Sequence, residues 1–279
     1  MRPLLPFAWH PAGLPPDRWF PVGALILPGG GLVVAERFQN RIYLLPPSAP
    51  DPLRLPSPDR GPVEWTALSA APGLGYYVLD GPGRKVQQYD LSGNYVGLAL
   101  DLEALAQAEG LGGIEPGGLA VDRTGRAVVT DRLADRLLEF GPGWSFLGEW
   151  GEGGSAPGTW RRPGAVAVGR KPPFLVADEG NLRVVLVDEF GGAVATRELS
   201  KVPRGVAVTE EGRYAVAYGD VVEILDTSLS LLERVRIPED TAGCDGTPFV
   251  TTALAGDGGT VYVGEGCSGR VLELRRPEK

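Results

Sequence analysis

PGGLAVDRTGRAVVTDRLADRLLEF, residues 116–140, opens an apolar run at Pro116, closes a second at Asp131 and begins a third at Arg136. Each run is short, rich in Val, Leu and Ala, and bounded by a turn, as a buried strand would be. An acid closing one strand and a base opening the next is either chemistry or architecture. Recurrence along the chain decides between them.

It recurs. Runs led by proline begin at Pro21, Pro62, Pro116, Pro163, Pro203 and Pro248. Each is followed by a turn and a second run (GLVVAE, GYYVLD, RAVVTD, FLVADE, RYAVAY, TVYVGE), then a third (RIYLL, KVQQY, RLLEF, RVVLV, VVEIL, RVLEL). Weaker fourth runs follow. Four short antiparallel strands repeated at intervals of roughly 40–54 residues predict an all-β fold, a six-bladed β-propeller forming one domain over residues 1–279. Second strands end in Glu36, Asp80, Asp131, Asp178 and Glu265; third strands open with Arg41, Arg84, Arg136, Arg183 and Arg270. A tight hairpin sets such flanks opposite one another. The expectation is therefore five structural ion pairs at exposed hairpin mouths, each stabilising by about 0–1 kcal/mol and fixing strand register.

Composition narrows the classes. Of 279 residues, 43% are hydrophobic and 22% charged, as in a globular protein, and 41 glycines with 26 prolines suit a turn-rich β fold. A net charge of −8 argues against a nucleic-acid or anionic-membrane partner. Arginine far outnumbers lysine, and Met and Cys are scarce, a pattern expected of a heat-adapted or GC-rich bacterial source. The proline-filled first twenty residues lack the apolar core of a signal peptide, so a cytoplasmic monomer is expected if Met1 is native.

The stretches 116–140 and PGAVAVGRKPPFLVADEGNLRVVLVDEFG (163–191) resemble the NHL-repeat family in their leading proline, small apolar strand, acid, turn and arginine. The linker WSFLGEWGEGGSAPGTWRRPGAVAV looks like the family's aromatic–glycine linker. The resemblance implies a six-bladed propeller with Trp150 and Trp160 as packing aromatics. A ring must abolish free edges, so Leu4 to Trp9 is expected to supply the outer strand of the last blade.

Fold-level analogy places ligands at the channel mouth near the starts of the innermost strands. Related propeller hydrolases hold a divalent cation there with Asn, Asp and Glu, yet this chain offers one carboxylate and no asparagine in the two positions after each leading proline. The single histidine, His10, and two cysteines argue against zinc and against histidine-dependent lyases, so no cofactor is expected. What departs from the repeat is Glu64 in the second repeat, Arg204 in the fifth (on opposite blades), Tyr218 at the acid position, and Glu115 beside them. These are the candidate residues for binding a protein segment, peptide or small ligand at the mouth. The alternative is a lactonase-like hydrolase or lyase with an atypical site at the same residues. Arg161, Arg162 and Arg204 make a local basic patch of the kind RNA needs, against the acidity of the whole chain. The segment DLEALAQAEGLGG (101–113) predicts a helix capped by Asp101 and Gly110, a candidate lid. Cys244 and Cys267 fall in neighbouring loops of one blade and are candidates for a disulfide.

Overall fold

In a computed structural model, the described residues are 8–9, 21–27, 31–36, 41–45, 53–56, 64–73, 75–209, 211–237, 250–255, 261–265 and 270–274. They form an all-β propeller of four-stranded antiparallel blades. Strand β1 is Ala8–Trp9. The first continuous blade holds β2 (Pro21–Ile26), β3 (Leu32–Glu36), β4 (Arg41–Leu45) and β5 (Leu53–Leu55). Next come β6 (Trp65–Ala71), β7 (Gly75–Asp80), β8 (Lys85–Tyr89) and β9 (Tyr95–Asp101), then the helix α1 (Leu102–Glu109). The third has β10 (Pro116–Val121), β11 (Ala127–Asp131), β12 (Arg136–Phe140) and β13 (Phe146–Trp150). The fourth has β14 (Pro163–Val168), β15 (Phe174–Asp178), β16 (Arg183–Val187) and β17 (Ala193–Glu198). The fifth has β18 (Pro203–Val208), β19 (Tyr214–Tyr218), β20 (Val221–Leu225) and β21 (Leu231–Arg236). A last sheet is composite: β22 (Val250–Ala255), β23 (Val261–Glu265) and β24 (Arg270–Leu274) pair on to β1. Five blades are thus continuous in sequence, and a count of six is reached only by including this composite sheet.

The innermost strands pack in succession, β2 on β6, β6 on β10, β10 on β14, β14 on β18, β18 on β22 and β22 back on β2. Every residue of β10, β11 and β12 is buried, whereas outermost β17 alternates half-buried and exposed. That is the pattern expected when inner strands are covered on both faces and outer ones on one. Core clusters lie between adjacent blades. Leu79, Val86, Leu119, Val129, Leu138 and Phe140 fill one, and Trp160, Val166, Phe174 and Val185 fill another. Trp160 is fully buried and Trp150 packs against that cluster, edge-on to Phe174 at 6.2 Å, so both tryptophans are packing aromatics.

Each innermost strand breaks register directly after its first residue, at Pro21/Gly23, Trp65/Ala67, Pro116/Gly118, Pro163/Val166, Pro203/Gly205 and Val250/Thr252. Proline cannot donate to the ladder, and a bulge there re-aims the next side chain. Two repeat starts differ from the expected ones. Trp65, not Pro62, lies opposite Asp80, and Val250, not Pro248, lies opposite Glu265. At the first of these the fully buried Trp65 takes the proline's place. Both strands therefore begin beyond the proline that leads their apolar run in the sequence.

At the seam, Ala8 pairs with Leu272 and Trp9 with Val271. Of the closing strand expected over Leu4–Trp9, Ala8–Trp9 is described and pairs as expected, and residues 4–7 lie outside the described residues.

Candidate functional site

The acid–base register is present, but its chemistry differs from the exposed pairs expected. Glu36 lies opposite Arg41, Asp131 opposite Arg136, Asp178 opposite Arg183 and Glu265 opposite Arg270. In two blades the pair is buried: Arg136 Nε donates to Asp131 Oδ2 at 3.0 Å, and Arg183 Nε to Asp178 Oδ2 at 2.7 Å, with both aspartates fully inaccessible. The remaining guanidinium nitrogens of Arg183 bind the linker carbonyls of Ser155, Ala156 and Thr159; those of Arg136 bind Leu111 O and the Glu149 carboxylate at 2.6 Å. The aspartates also accept backbone N–H groups just before the inner strand, from Glu115 at 3.0 Å and Arg161 at 2.8 Å. Each pair thus rivets the interblade linker to its hairpin.

Asp80 and Arg84 do not stand opposite each other. Asp80 faces Lys85, while Arg84 sits in the left-handed region at φ 52°, donates to Ile114 O at 2.9 Å and meets Glu103 at 3.3 Å. The turn in this blade ends one residue later than the sequence spacing suggests.

At the mouth where the innermost strands begin, blade-to-blade differences concentrate in two positions: the bulge residue, and the turn residue after the acid. In the third blade the bulge is Gly117 and the turn residue Arg132. A Cβ on Gly117 would stand 2.6 Å from Arg132 Nε, so the glycine leaves room for the arginine to lie across the strand. Arg132 then reaches Glu179, the turn residue of the fourth blade, at 2.6 Å. Glu179 in turn lies over Gly164, where a Cβ would collide with its carboxylate, and accepts from Arg204 at 3.2 Å. In the fifth blade the roles exchange: Gly219 occupies the turn and Arg204 is the bulge residue. One carboxylate, 8% exposed, is therefore gripped by arginines from the blades on either side.

Of the residues expected at this mouth, Arg204 is there, with 40% of its side chain accessible. Glu115 lies on the linker before β10, where its carbonyl accepts from the Arg132 N–H at 2.8 Å; its side chain is 53% exposed and 3.9 Å from Arg162. Glu64 occupies the equivalent position before β6, its backbone N–H 3.4 Å from Asp80 Oδ1. The bulge residue matching Arg204 in that blade is Thr66, so the Glu64–Arg204 opposition expected from the proline spacing does not describe equivalent positions.

Tyr218 is not at the mouth. It is buried in the core between the fourth and fifth blades, where its hydroxyl donates to Glu223 at 2.8 Å. Burial, helped by the Glu223 carboxylate, pushes the phenol up to about 12. Burial acts to raise the Glu223 carboxyl too, but hydrogen bonds from Arg197, Tyr218 and Arg234 outweigh it and hold the group below its ordinary range.

The expected helix is present. Asp101 Oδ1 caps it by accepting from Glu103 and Ala104 N, and Gly110 closes it at φ 68°. Leu102 is fully buried, and Leu105, Ala106 and Leu111 pack against the core of the second and third blades. It is docked to the wall between blades, not laid over the mouth as a lid. Cys244, Cys267 and His10 lie outside the described residues. Among the described residues no group of three or more His, Cys, Asp or Glu could hold a metal ion, and no helix is long and apolar enough to cross a membrane.

The pair Arg132 and Glu179 escaped the sequence reading. Both directly follow the residue at the repeat's acid position, where three other repeats carry glycine (Gly81, Gly219 and Gly266) and the first carries Arg37. That alternation between glycine and charge was the available signal.

No protein-family model matches the chain, so membership of the NHL family is not shown. Two curated relatives, the peptidyl-glycine alpha-amidating monooxygenases B and A of Xenopus laevis, are each 29% identical over 54% of this chain. The match spans only 19% and 18% of their length. Among solved structures, a streptogramin B lyase superposes with a TM-score of 0.65 at 13% identity, covering 98% of this chain and 97% of its own. A catalytically inactive histidine-to-alanine variant of Staphylococcus aureus virginiamycin B lyase with quinupristin gives 0.66 at 12% identity over 98% of this chain and 100% of its own. At these identities the likeness establishes the propeller fold.

Proposed function

We propose that the chain is a binding propeller whose ligand is a peptide segment, or a similarly zwitterionic small molecule, seated at the mouth where the innermost strands begin. The composite sheet is read as the sixth blade that closes the ring around this mouth. The carrying observation is the Arg132–Glu179–Arg204 bridge across three successive blades, with the half-exposed Glu115 and Arg162 beside it. Arg204 offers a guanidinium fork suited to a carboxylate. Glu115 and Glu64 offer the opposite charge for an ammonium or amide donor. Glu179, held between two cations, is an anchor for the arginines rather than a base. The names of the curated relatives, which refer to a peptidyl-glycine, favour a peptide over other zwitterions.

A second reading is an enzyme, favoured by the lyases among the structural neighbours. The inactive variant of one of them has lost a histidine, and this chain has only His10. One experiment separates the readings. Short glycine-terminated peptides are titrated calorimetrically, with expected saturable binding that weakens about tenfold in Arg204→Ala and on C-terminal amidation. In parallel, the peptides and quinupristin are incubated with the protein and followed by mass spectrometry. Unchanged masses support the binding module; turnover of either replaces it with the lyase.

A further inference from the structure

A cavity opens at the opposite end of the channel, away from the arginine bridge. It has a volume of about 1190 Å³ and is lined by the C-terminal halves of β2, β6, β10, β14 and β18 and the turns that follow them. Its wall is apolar: Leu25, Leu68, Val168 and Val208 line it and are only partly buried by the fold. Apolar side chains left wet in a concave wall are the ordinary lining of a small-molecule site.

The rim has a charge pattern of its own. Arg123, on the turn after β10, donates its backbone N–H to Arg170 O at 3.3 Å, so two arginine-bearing turns of neighbouring blades are tied side by side. Lys171 follows directly. All three side chains are exposed, and none makes an ion pair among the described residues. The described acids on the rim are committed elsewhere. Asp122 Oδ1 accepts from the Thr124 N–H and hydroxyl and the Arg126 N–H, and Glu211 pairs with Arg213 at 3.3 Å. In a chain of net charge −8, three neighbouring cations that make no ion pair among the described residues, at the lip of an apolar cavity, form a localised positive field.

From this juxtaposition we infer a second ligand site, for a small amphipathic anion. Its apolar body lies in the channel against Leu68, Val168 and Val208, and its carboxylate or sulfonate head rests on Arg123, Arg170 and Lys171. The cavity lies just beyond the upper end of the roughly 300–1,000 Å³ usual for small-molecule sites, so a chain or fused-ring body fits without rearrangement of the blades. Neutral apolar molecules would forfeit the rim, and small hydrophilic anions would forfeit the wall.

The test is a fluorescence titration of the full chain with 1-anilinonaphthalene-8-sulfonate at low ionic strength. One saturable site is expected, displaced by decanoate but not by decanol. Replacing Arg170→Glu and Lys171→Glu together should weaken the sulfonate about tenfold, and neutral N-phenyl-1-naphthylamine should bind about tenfold more weakly than the sulfonate. Circular dichroism melting of the charge-reversed protein checks that the exposed substitutions leave the fold intact. Arg204→Ala, at the other mouth, should leave this affinity within about twofold, so failure here is independent of the peptide site. Absence of saturation, equal affinity for the charge-reversed protein, or a loss caused by Arg204→Ala would overturn the inference.

Discussion

Arg183 donates from Nε to Asp178 Oδ2 at 2.7 Å with the carboxylate fully inaccessible, and its other nitrogens hold three carbonyls of the preceding linker. An aspartate and an arginine thus close a hairpin and also dock the chain that enters the blade. Removing one partner strands the other as a buried charge, which costs about 3–5 kcal/mol. Asp178→Asn and Arg183→Leu are each expected to lower the denaturation midpoint by that order, and Asp131→Asn to do the same in the blade before. The comparison to make is Arg162→Leu, whose side chain is 62% exposed and should cost less than about 1 kcal/mol. Equal losses in urea titrations would show that the buried pairs are no more than surface pairs.

Two neighbouring glycines should respond differently to alanine. A Cβ on Gly118 would lie 2.5 Å from the backbone oxygen of Gly164, in the adjacent blade, where Thr130 Oγ1 also donates at 2.8 Å. Backbone cannot step aside, so Gly118→Ala should separate two blades and cost about 1–3 kcal/mol. At Gly164 the obstacle is the Glu179 carboxylate, the end of a flexible side chain. Gly164→Ala should therefore cost less, but swing Glu179 off its two arginines and alter peptide binding at that mouth. Thermal melting and calorimetry together check both; a larger stability loss at Gly164 than at Gly118 would contradict the packing argument.

Much of this architecture was legible because one physical rule repeats. Apolar inner runs recur in every blade, and proline at the strand start and opposed acid–base hairpin flanks each recur in four, so periodicity exposed them. Burial was not legible. Asp131 and Asp178 read as hairpin-mouth charges, yet the linkers fold over them. The site was legible only in part. Arg204 stands out as a departure from the repeat and is the bulge residue at the start of β18, while Glu115 and Glu64 occupy equivalent positions just before β10 and β6. Tyr218 departs from it too, but a phenol at the acid position turns inward, because Glu223, one strand over, supplies a buried acceptor. Arg132 and Glu179 were missed because each looks like an ordinary polar turn residue until the glycines beneath them are placed in space.

The seam gives a further prediction. Ala8 and Trp9 cover the outer edge of β24 through pairing with Leu272 and Val271. Without them β24 presents an unpaired edge, which is prone to add strands from other molecules. Deleting residues 1–9 should lower the melting temperature and promote association, read by light scattering. A truncated protein that melts like the full chain and stays monodisperse would mean the seam needs no strand from this end.

The last prediction concerns pH and rests on Tyr218 and Glu223. The phenol is pushed from 10.0 up to about 12, mainly by burial and then by its bond to the Glu223 carboxylate. A group whose proton is held more tightly in the folded state stabilises fully below its unfolded value, and that contribution fades as pH rises between 10 and 12. Glu223 works in the opposite direction. Burial alone would raise it, but three donors lower it, so its contribution is present above the ordinary carboxylate value and is lost as pH falls through the depressed one. Tyr218→Phe should cost about 1 kcal/mol at neutral pH by removing one donor. It should also flatten the alkaline limb of the stability profile. Glu223→Gln should flatten the acid limb and cost more, because Arg197 and Arg234 lose their shared counter-charge. Denaturation midpoints at several pH values, with tyrosinate absorbance on the alkaline side, separate the two. If Tyr218→Phe leaves the alkaline limb unchanged, the phenol titrates as though exposed and its burial against Glu223 is wrong.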